Sequence, residues 1–124
     1  MIRMYSRQDC QSSAKASLWF EEYGIKVEKK NLKQLSRNDL VYLLSLTDRG
    51  MKEILKYKNK SQATFVSEFL TSDCKFEEAV DFLISHAEMF RSPIILDKGK
   101  YLIGYNQEEI RKFLSADYRK IEIP

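Results

Sequence analysis

The sequence has few of the residues from which common catalytic and metal sites are built. Its 124 residues include one histidine, His86, and two cysteines, Cys10 and Cys74. With a single histidine there is no His-based metal set and no Cys–His nucleophile pair to build around it, and no zinc-ligand spacing is present. A glycine-rich phosphate loop is also missing. We therefore predict that the protein holds no metal and no cofactor.

The chain also lacks long apolar runs. None approaches the length that crosses a membrane, and the N-terminus lacks the charged and then apolar layout of a signal peptide. Two cysteines are too few for a disulfide framework, so we expect both thiols to be reduced. A cytoplasmic protein without membrane contact is the resulting expectation. The length and the 44% hydrophobic content favour one domain spanning residues 1–124, and we expect a monomer.

Positive charge is concentrated in two stretches. The net charge is only +3, but residues 26–37 hold five basic residues against Glu28, and residues 49–60 hold five against Glu53. Such stretches suit nucleic acid or an acidic protein surface. They are equally typical of solvated helix faces, so charge alone leaves both interpretations open.

The first 24 residues predict a strand, a polar loop and a helix. Residues 2–5 are typical of a short strand, and Cys10 ends the polar loop that follows. Ser12 or Ser13 can cap the first turn of the helix, and Gly24 suits a left-handed position at its end. One face of this helix carries apolar residues at i, i+3, i+4 and i+7: Ala16, Trp19, Phe20 and Tyr23.

The predicted strand therefore delivers Cys10 to the start of a helix. Unpaired backbone N–H groups and the positive end of the helix dipole meet at that point. Both stabilise a thiolate, so we expect the pKa of the Cys10 thiol to be lowered.

The middle of the chain is mostly helical in pattern. An alternating segment over residues 25–29 first predicts a second strand. Ser36, with Asp39 three residues later, then predicts the start of a helix that ends or is interrupted at Gly50. Three further helices are expected: one at about residues 51–55, one of a turn or two at about residues 65–70, and one from Asp73 to about Met89.

The last third of the sequence predicts a hairpin and a closing helix. The helical pattern breaks at residues 91–93, and residues 94–96 form a buried apolar strand. Asp97 and Gly99 signal a tight turn, after which the strand returns. Asn106 can cap the final helix.

This order of elements predicts an α/β fold. Strand–helix–strand implies a parallel pair, and the closing hairpin adds antiparallel strands to the same sheet. We predict a thioredoxin-like mixed four-stranded sheet, built from about residues 1–35 and 91–124. The helices of about residues 36–90 are then an inserted subdomain.

Four pieces of the sequence, in this order and spacing, resemble the Spx/arsenate-reductase-like family of the thioredoxin superfamily. They are the loop and helix that open at Cys10, TDRG followed by Glu53 and Ile54, RSPIILD at residues 91–97, and GYNQEEIRKFL at residues 104–114. The last piece is similar to Spx regulators in particular. The resemblance also implies a cis peptide bond between Ser92 and Pro93.

One activity in this family is arsenate reduction. The reductases use a loop cysteine as nucleophile and several arginines to hold the oxyanion, since bidentate guanidinium groups stabilise its charge. Cys10 matches the nucleophile, but Ser92 stands where an arginine usually precedes the proline, with Arg91 one residue earlier. Lys58 stands at the middle-helix position, and residues 104–106 supply no arginine. We therefore predict no enzyme activity. The alternative is a thiol-dependent reductase, arsenate reductase-like or glutathione-linked, that uses Cys10.

The other activity is transcription regulation. Spx-like regulators bind the C-terminal domain of the RNA polymerase alpha subunit and change promoter use, and the resemblance implies contact through Gly50. Its basic neighbours Arg49 and Lys52 suit an acidic partner surface or nearby DNA phosphates. An ordinary helix C-terminal cap is the other explanation for Gly50. We interpret the chain as such a stress-response regulator, meeting DNA only weakly or within the polymerase complex.

Many regulators of this type carry a Cys-x-x-Cys redox switch, and this chain does not. Ser13 stands in place of the second thiol. A serine can donate a hydrogen bond to a thiolate but cannot close a disulfide. We predict that no disulfide forms within the loop. Cys10 is then either a low-pKa reactive thiol or a small residue retained without that chemistry, and both interpretations stay open.

Overall fold

The computed structural model describes residues 1–115, and a four-stranded sheet lies at its centre. The strands are β1 (Ile2–Ser6), β2 (Val27–Asn31), β3 (Ile94–Asp97) and β4 (Lys100–Ile103). Their order is β2-β1-β3-β4; β1 is parallel to β2, and the other two pairs are antiparallel. The predicted α/β fold with a mixed four-stranded, thioredoxin-like sheet is confirmed.

Helices cover both faces of this sheet. In the described part of the chain they are α1 (Gln11–Glu22), α2 (Arg37–Leu46), α3 (Met51–Ile54), α4 (Lys60–Thr71) and α5 (Phe76–Ile84). Short 3₁₀ helices lie at Leu32–Gln34, Ala87–Met89 and Glu109–Phe113. Helix α1 connects β1 to β2. Helices α2 to α5 lie between β2 and β3 in the chain and are called the helical insertion below.

The alternation of side chains along the strands divides the core into two clusters. Met4 and Ile95 face one side of the sheet, where they pack in one cluster with Phe20 of α1. Tyr5 and Ile94 face the other side, in the cluster that includes the helical insertion. Because both faces are covered, β3 is apolar at successive positions rather than alternating.

One charged interaction joins the sheet to the helical insertion. Arg3 on β1 donates two hydrogen bonds, 2.7 and 3.1 Å long, to the carboxylate of Asp39 on α2. The hydroxyl of Tyr5 donates a third, 2.5 Å long. Burial raises the pKa of Asp39, but the bonds from Arg3 and Tyr5 outweigh it, and the net pKa is lowered. Ser36 caps α2 by accepting from the Asp39 N–H at 3.0 Å, as predicted.

The structure corrects the limits of the second strand. The Ile25 N–H donates to the Phe20 carbonyl at 2.9 Å and so completes the end of α1. Pairing with β1 therefore starts only at Val27, opposite Ile2, and not at Ile25. Gly24 has φ of 64°, which confirms the predicted left-handed residue.

The predicted cap of α1 is wrong. Cys10 occupies the N-cap position with an extended backbone, and no side chain caps the helix. Neither Ser12 nor Ser13 plays that part, since both lie inside the first turn. The side chain of Ser13 is instead buried and bonded to Ser92.

The predicted helix 73–89 is shorter at both ends. Asp73 does not cap it, because α5 begins at Phe76. The helix ends at Ile84, and His86 leaves the helical region with φ of −127° and ψ of 49°. A separate 3₁₀ turn then leads through Met89.

Helix α4 is longer than the sequence predicts. The sequence predicts a turn or two at residues 65–70, whereas α4 runs from Lys60 to Thr71. Its start has a capping signal that the apolar pattern does not contain. Asn59 accepts from the Gln62 N–H at 2.8 Å, and the Gln62 side chain accepts from the Lys58 N–H at 2.8 Å.

The closing segment is capped as predicted but is not an α-helix. Asn106 accepts from the N–H groups of Glu108 and Glu109, both at 2.9 Å. A 3₁₀ helix follows, and it buries Ile110 and Phe113 against the sheet. Residues 116–124 of the predicted core segment lie outside the described residues.

We predict that Asp39→Asn lowers the free energy of unfolding at neutral pH by about 2 kcal/mol, because a charged acceptor of three hydrogen bonds is lost in a mostly buried site. Folding lowers the pKa of Asp39, so its contribution is complete above the ordinary aspartate pKa and is lost as the pH falls through the lowered one. Urea unfolding at neutral pH and below about pH 4 measures both effects. The difference between variant and wild type should shrink in acid.

Asp81→Asn is the matched control. Asp81 forms an ion pair with Arg37, but its side chain is 70% exposed, so little stability should depend on it. An equal loss of unfolding free energy in the two variants would show that the bonds to Asp39 stabilise the fold no more than a surface ion pair does.

Candidate functional site

The loop between β1 and α1 brings Cys10 to the start of β3. The Cys10 thiol lies 3.8 Å from the backbone oxygen of Ser92. The Ser92 hydroxyl lies 3.2 Å from the Ser13 hydroxyl and accepts from the Arg7 backbone N–H at 2.9 Å. The Ser92–Pro93 peptide bond is cis, which confirms the prediction. The structure thus brings together Cys10, Ser13, Ser92 and Pro93 from two distant segments.

This environment lowers the pKa of Cys10. Burial of the half-buried thiol raises its pKa. Hydrogen bonds from the side chains of Ser13 and Ser92, and from the backbone N–H groups of Ser13 and Ser12, outweigh that effect. The net pKa lies below the ordinary cysteine value, in the direction expected for a thiol at a helix start.

The cavity beside Cys10 lacks an arginine clamp. It measures about 510 Å³, and Arg7 and Lys29 are the cationic residues among those lining it in the described chain. The Arg7 guanidinium donates to the backbone oxygens of Glu88, at 3.2 Å, and of Phe90. It is therefore already used in joining the loop to the segment between α5 and β3. Arg91 does not line this cavity.

The second cysteine has its own local contact. The Cys74 thiol lies 3.4 Å from the Lys75 backbone oxygen, and both Cys74 and Cys10 are free thiols. Cys74 does not line the cavity beside Cys10.

Gly50 lies at the start of α3, not at the end of α2. Helix α2 ends at Leu46, with Thr47 as its C-cap, and Gly50 is the N-cap of α3 with φ of 64° and ψ of −134°. The helix C-cap explanation for Gly50 is therefore wrong. A Cβ atom built on Gly50 would meet nothing within 4 Å, so the backbone conformation, and not crowding inside the protein, favours glycine here.

Helix α3 is held firmly behind Gly50. Ile54 is fully buried, and its backbone oxygen accepts from the Arg91 N–H at 2.8 Å. Lys56 donates its N–H to the Met89 oxygen at 2.7 Å. The Tyr101 hydroxyl on β4 donates to Glu53 at 2.6 Å. Gly50 is therefore a half-buried backbone position, with open space where a Cβ would lie, on a packed support.

A second cavity, of about 320 Å³, opens beside Gly50. We call it the basic cavity, because four cationic residues line it: Arg49, Lys52, Arg91 and Lys112. Sequence reasoning assigned Arg91 to the cis-proline loop and did not single out Lys112. No local sequence pattern indicates this cavity, since its four cationic residues come together only through the packing of α3 against β4.

Residues 1–115 hold neither of two other kinds of site. No helix there is both long enough and apolar enough to cross a membrane. No group of three or more His, Cys, Asp or Glu side chains in that range could hold a metal ion.

The family model that matches the chain is that of the ArsC family, and it covers residues 5–113. The chain belongs to the ArsC family. Its curated relatives include global transcriptional regulators named Spx. One, from Streptococcus pyogenes serotype M1, is 30% identical over 99% of this chain and 92% of the relative. Another, Spx 2 from Bacillus cereus, is 35% identical over 96% of this chain and 91% of the relative.

Solved structures with the same fold are more distant in sequence. A Staphylococcus aureus protein determined by solution NMR has a TM-score of 0.74 at 16% identity, covering 93% of this chain and all of that one. An arsenate reductase from Vibrio cholerae has a TM-score of 0.58 at 15% identity, covering 91% and 94%. At such identities the likeness concerns the ArsC fold alone.

We predict that Cys10 is alkylated with a pH midpoint below the ordinary cysteine value, because hydrogen bonds favour its thiolate. The rate of iodoacetamide reaction against pH is measured in Cys74→Ala protein, in which Cys10 is the remaining thiol. Ser13→Ala should raise the midpoint of Cys10. A Cys10 midpoint at the ordinary cysteine value that Ser13→Ala leaves unchanged would contradict the low-pKa interpretation.

Proposed function

We propose that this ArsC-family chain is an Spx-like transcription regulator, which binds the C-terminal domain of the RNA polymerase alpha subunit through the surface around Gly50 and modulates promoter use. The observation that carries the proposal is the near full-length similarity to Spx regulators at 30 to 35% identity. We place its site of action in the cytoplasm and take it to act as a monomer.

The geometry of Gly50 supports this choice of docking surface. Open space lies where a side chain would project, so a partner backbone can approach Gly50 closely. The support behind it, α3, is buried at Ile54 and bonded to β4 through Glu53. A surface that is already ordered loses little conformational entropy on binding.

The charges around Gly50 suit an acidic partner surface. Arg49 and Lys52 are both exposed and flank the glycine. Neither forms an ion pair with another described residue. Unpaired cations at the edge of an interface favour encounter with an acidic partner more than they raise affinity.

DNA contact would depend on the polymerase. A net charge of +3 is small for a chain that binds DNA alone. Once bound to the polymerase, the chain is held close to promoter DNA. The effective concentration of DNA phosphates is then high, so even a weak phosphate contact forms.

The reductase alternative has less support. Cys10 has the lowered pKa that a nucleophile needs, but Arg7 is the only arginine among the described residues that line its cavity, and its guanidinium is bonded to backbone oxygens. An arsenate oxyanion would find no pair of free guanidinium groups there.

The test is binding of the purified chain to the isolated alpha C-terminal domain by titration calorimetry, with Gly50→Arg beside wild type. We expect binding at one to one, and a loss of affinity of about tenfold or more in the variant, because the new side chain occupies the space that the partner must enter.

Gly24→Arg is the matched control for this experiment. Gly24 also has φ of 64° and open space where a Cβ would lie, so Gly24→Arg adds the same side chain at another glycine of positive φ. Each should cost about 1–2 kcal/mol of stability, but only Gly50→Arg should weaken binding. Failure of the wild-type chain to bind, or equal affinity in both variants, would overturn the docking proposal.

We also predict that the purified chain does not reduce arsenate or glutathione disulfide at a measurable rate. Cys10→Ala should leave both rates at background and leave binding to the alpha C-terminal domain unchanged. Turnover that disappears in Cys10→Ala would instead establish the reductase alternative.

A further inference from the structure

The basic cavity gathers four cationic side chains from three separate segments. Arg49 precedes α3, Lys52 lies on it, Arg91 precedes β3, and Lys112 lies in the last 3₁₀ helix. The side chains of Arg49, Lys52 and Arg91 form no ion pair or hydrogen bond with another described residue. Lys112 donates to the backbone oxygen of Tyr101 at 2.9 Å. Bringing like charges together costs free energy unless a counter-charge is present.

The two carboxylates in the wall of this cavity do not supply that counter-charge directly. Glu53 accepts from the Tyr101 hydroxyl through one oxygen, and its other oxygen is buried without a partner. Its carboxylate is thus turned into the protein. Glu109 lies at the exposed rim. Neither forms an ion pair with the four cations, so the accessible wall presents mostly positive charge.

We propose that the basic cavity is a binding site for the phosphoryl group of a small molecule. A phosphoryl group carries two negative charges and several acceptor oxygens, which match the number of donors better than a single carboxylate does. Arg49 and Arg91 can each give two parallel hydrogen bonds to it, while Lys52 and Lys112 act as point charges. This site is separate from the cavity beside Cys10 and goes beyond polymerase docking.

The size of the cavity allows more than a bare ion. Its volume of about 320 Å³ leaves room for a small organic group attached to the phosphate. The free ion and a phosphate monoester share the same recognition chemistry. The experiment therefore compares inorganic phosphate with ribose 5-phosphate, and uses sodium chloride at matched ionic strength to account for general screening.

The experiment is a titration of the isotopically labelled chain, followed by amide chemical shifts. With either phosphate compound, we expect saturable shifts at residues 49–53, at Arg91 and at residues 101–103. Arg91→Gln should weaken binding about tenfold, because one two-pronged donor is lost. Arg37→Gln removes the same charge from an exposed arginine that does not line the cavity, and it should leave binding unchanged.

Each outcome of the titration either supports the proposal or overturns it. Tighter binding of ribose 5-phosphate identifies a monoester site, and equal binding identifies a site for the free ion. Three results would overturn the proposal. These are shifts that do not saturate, shifts that sodium chloride reproduces, and equal weakening of binding by Arg91→Gln and Arg37→Gln. Gly50→Arg should lose polymerase binding yet still show the Arg91-dependent phosphate shifts, so failure of one proposal can be distinguished from failure of the other.

Discussion

The bonding of Asp39 to Arg3 and Tyr5 decides where the helical insertion lies on the sheet. It joins the first turn of α2 to the first strand, across a sequence distance of more than thirty residues. A matching bond joins Glu53 on α3 to Tyr101 on β4. The insertion is therefore attached to both an inner strand and an edge strand. Apolar packing alone is non-directional and would leave this orientation less defined.

The surface around Gly50 depends on that attachment. Gly50 is half-buried, and α3 behind it is packed and bonded, so the segment between α2 and α4 presents an ordered surface. The same packing opens the basic cavity, because it carries Arg49 and Lys52 up to the chain that enters β3 and to the last 3₁₀ helix. Partner docking and anion binding would thus share one structural support and two side chains, Arg49 and Lys52, while Arg91 and Lys112 belong to the cavity alone.

The loop at Cys10 retains part of a thiol site. Ser13 and Ser92 stabilise the thiolate, and Ser92 directly precedes the cis peptide bond. Among the described residues, Arg7 is the arginine that lines this cavity, and its guanidinium is bonded to backbone oxygens, whereas Arg91 lines the other cavity.

The sequence by itself determined the elements whose signals are local. Apolar spacing predicted α1 and its buried face, turn residues predicted the β3–β4 hairpin, and Asn106 was recognised as a cap. Family resemblance supplied the cis bond before Pro93. Each of these depends on residues a few positions apart. The sequence did not predict the limits of β2, the length of α4 or the position of Gly50. These depend on hydrogen bonds with other parts of the chain or on capping residues outside the apolar pattern.

Only the tertiary structure decided which side chains share a site. Arg91 and Ser92 are neighbours in the chain, yet one lines the basic cavity and the other supports Cys10. Lys112 joins Arg49 although they are far apart in sequence. The physical reason is that the two residues bond to different distant segments: the Arg91 N–H donates to Ile54 at the end of α3, whereas the Ser92 hydroxyl bonds to Arg7 and Ser13. Convergence of distant residues depends on long-range packing, which a linear pattern does not contain.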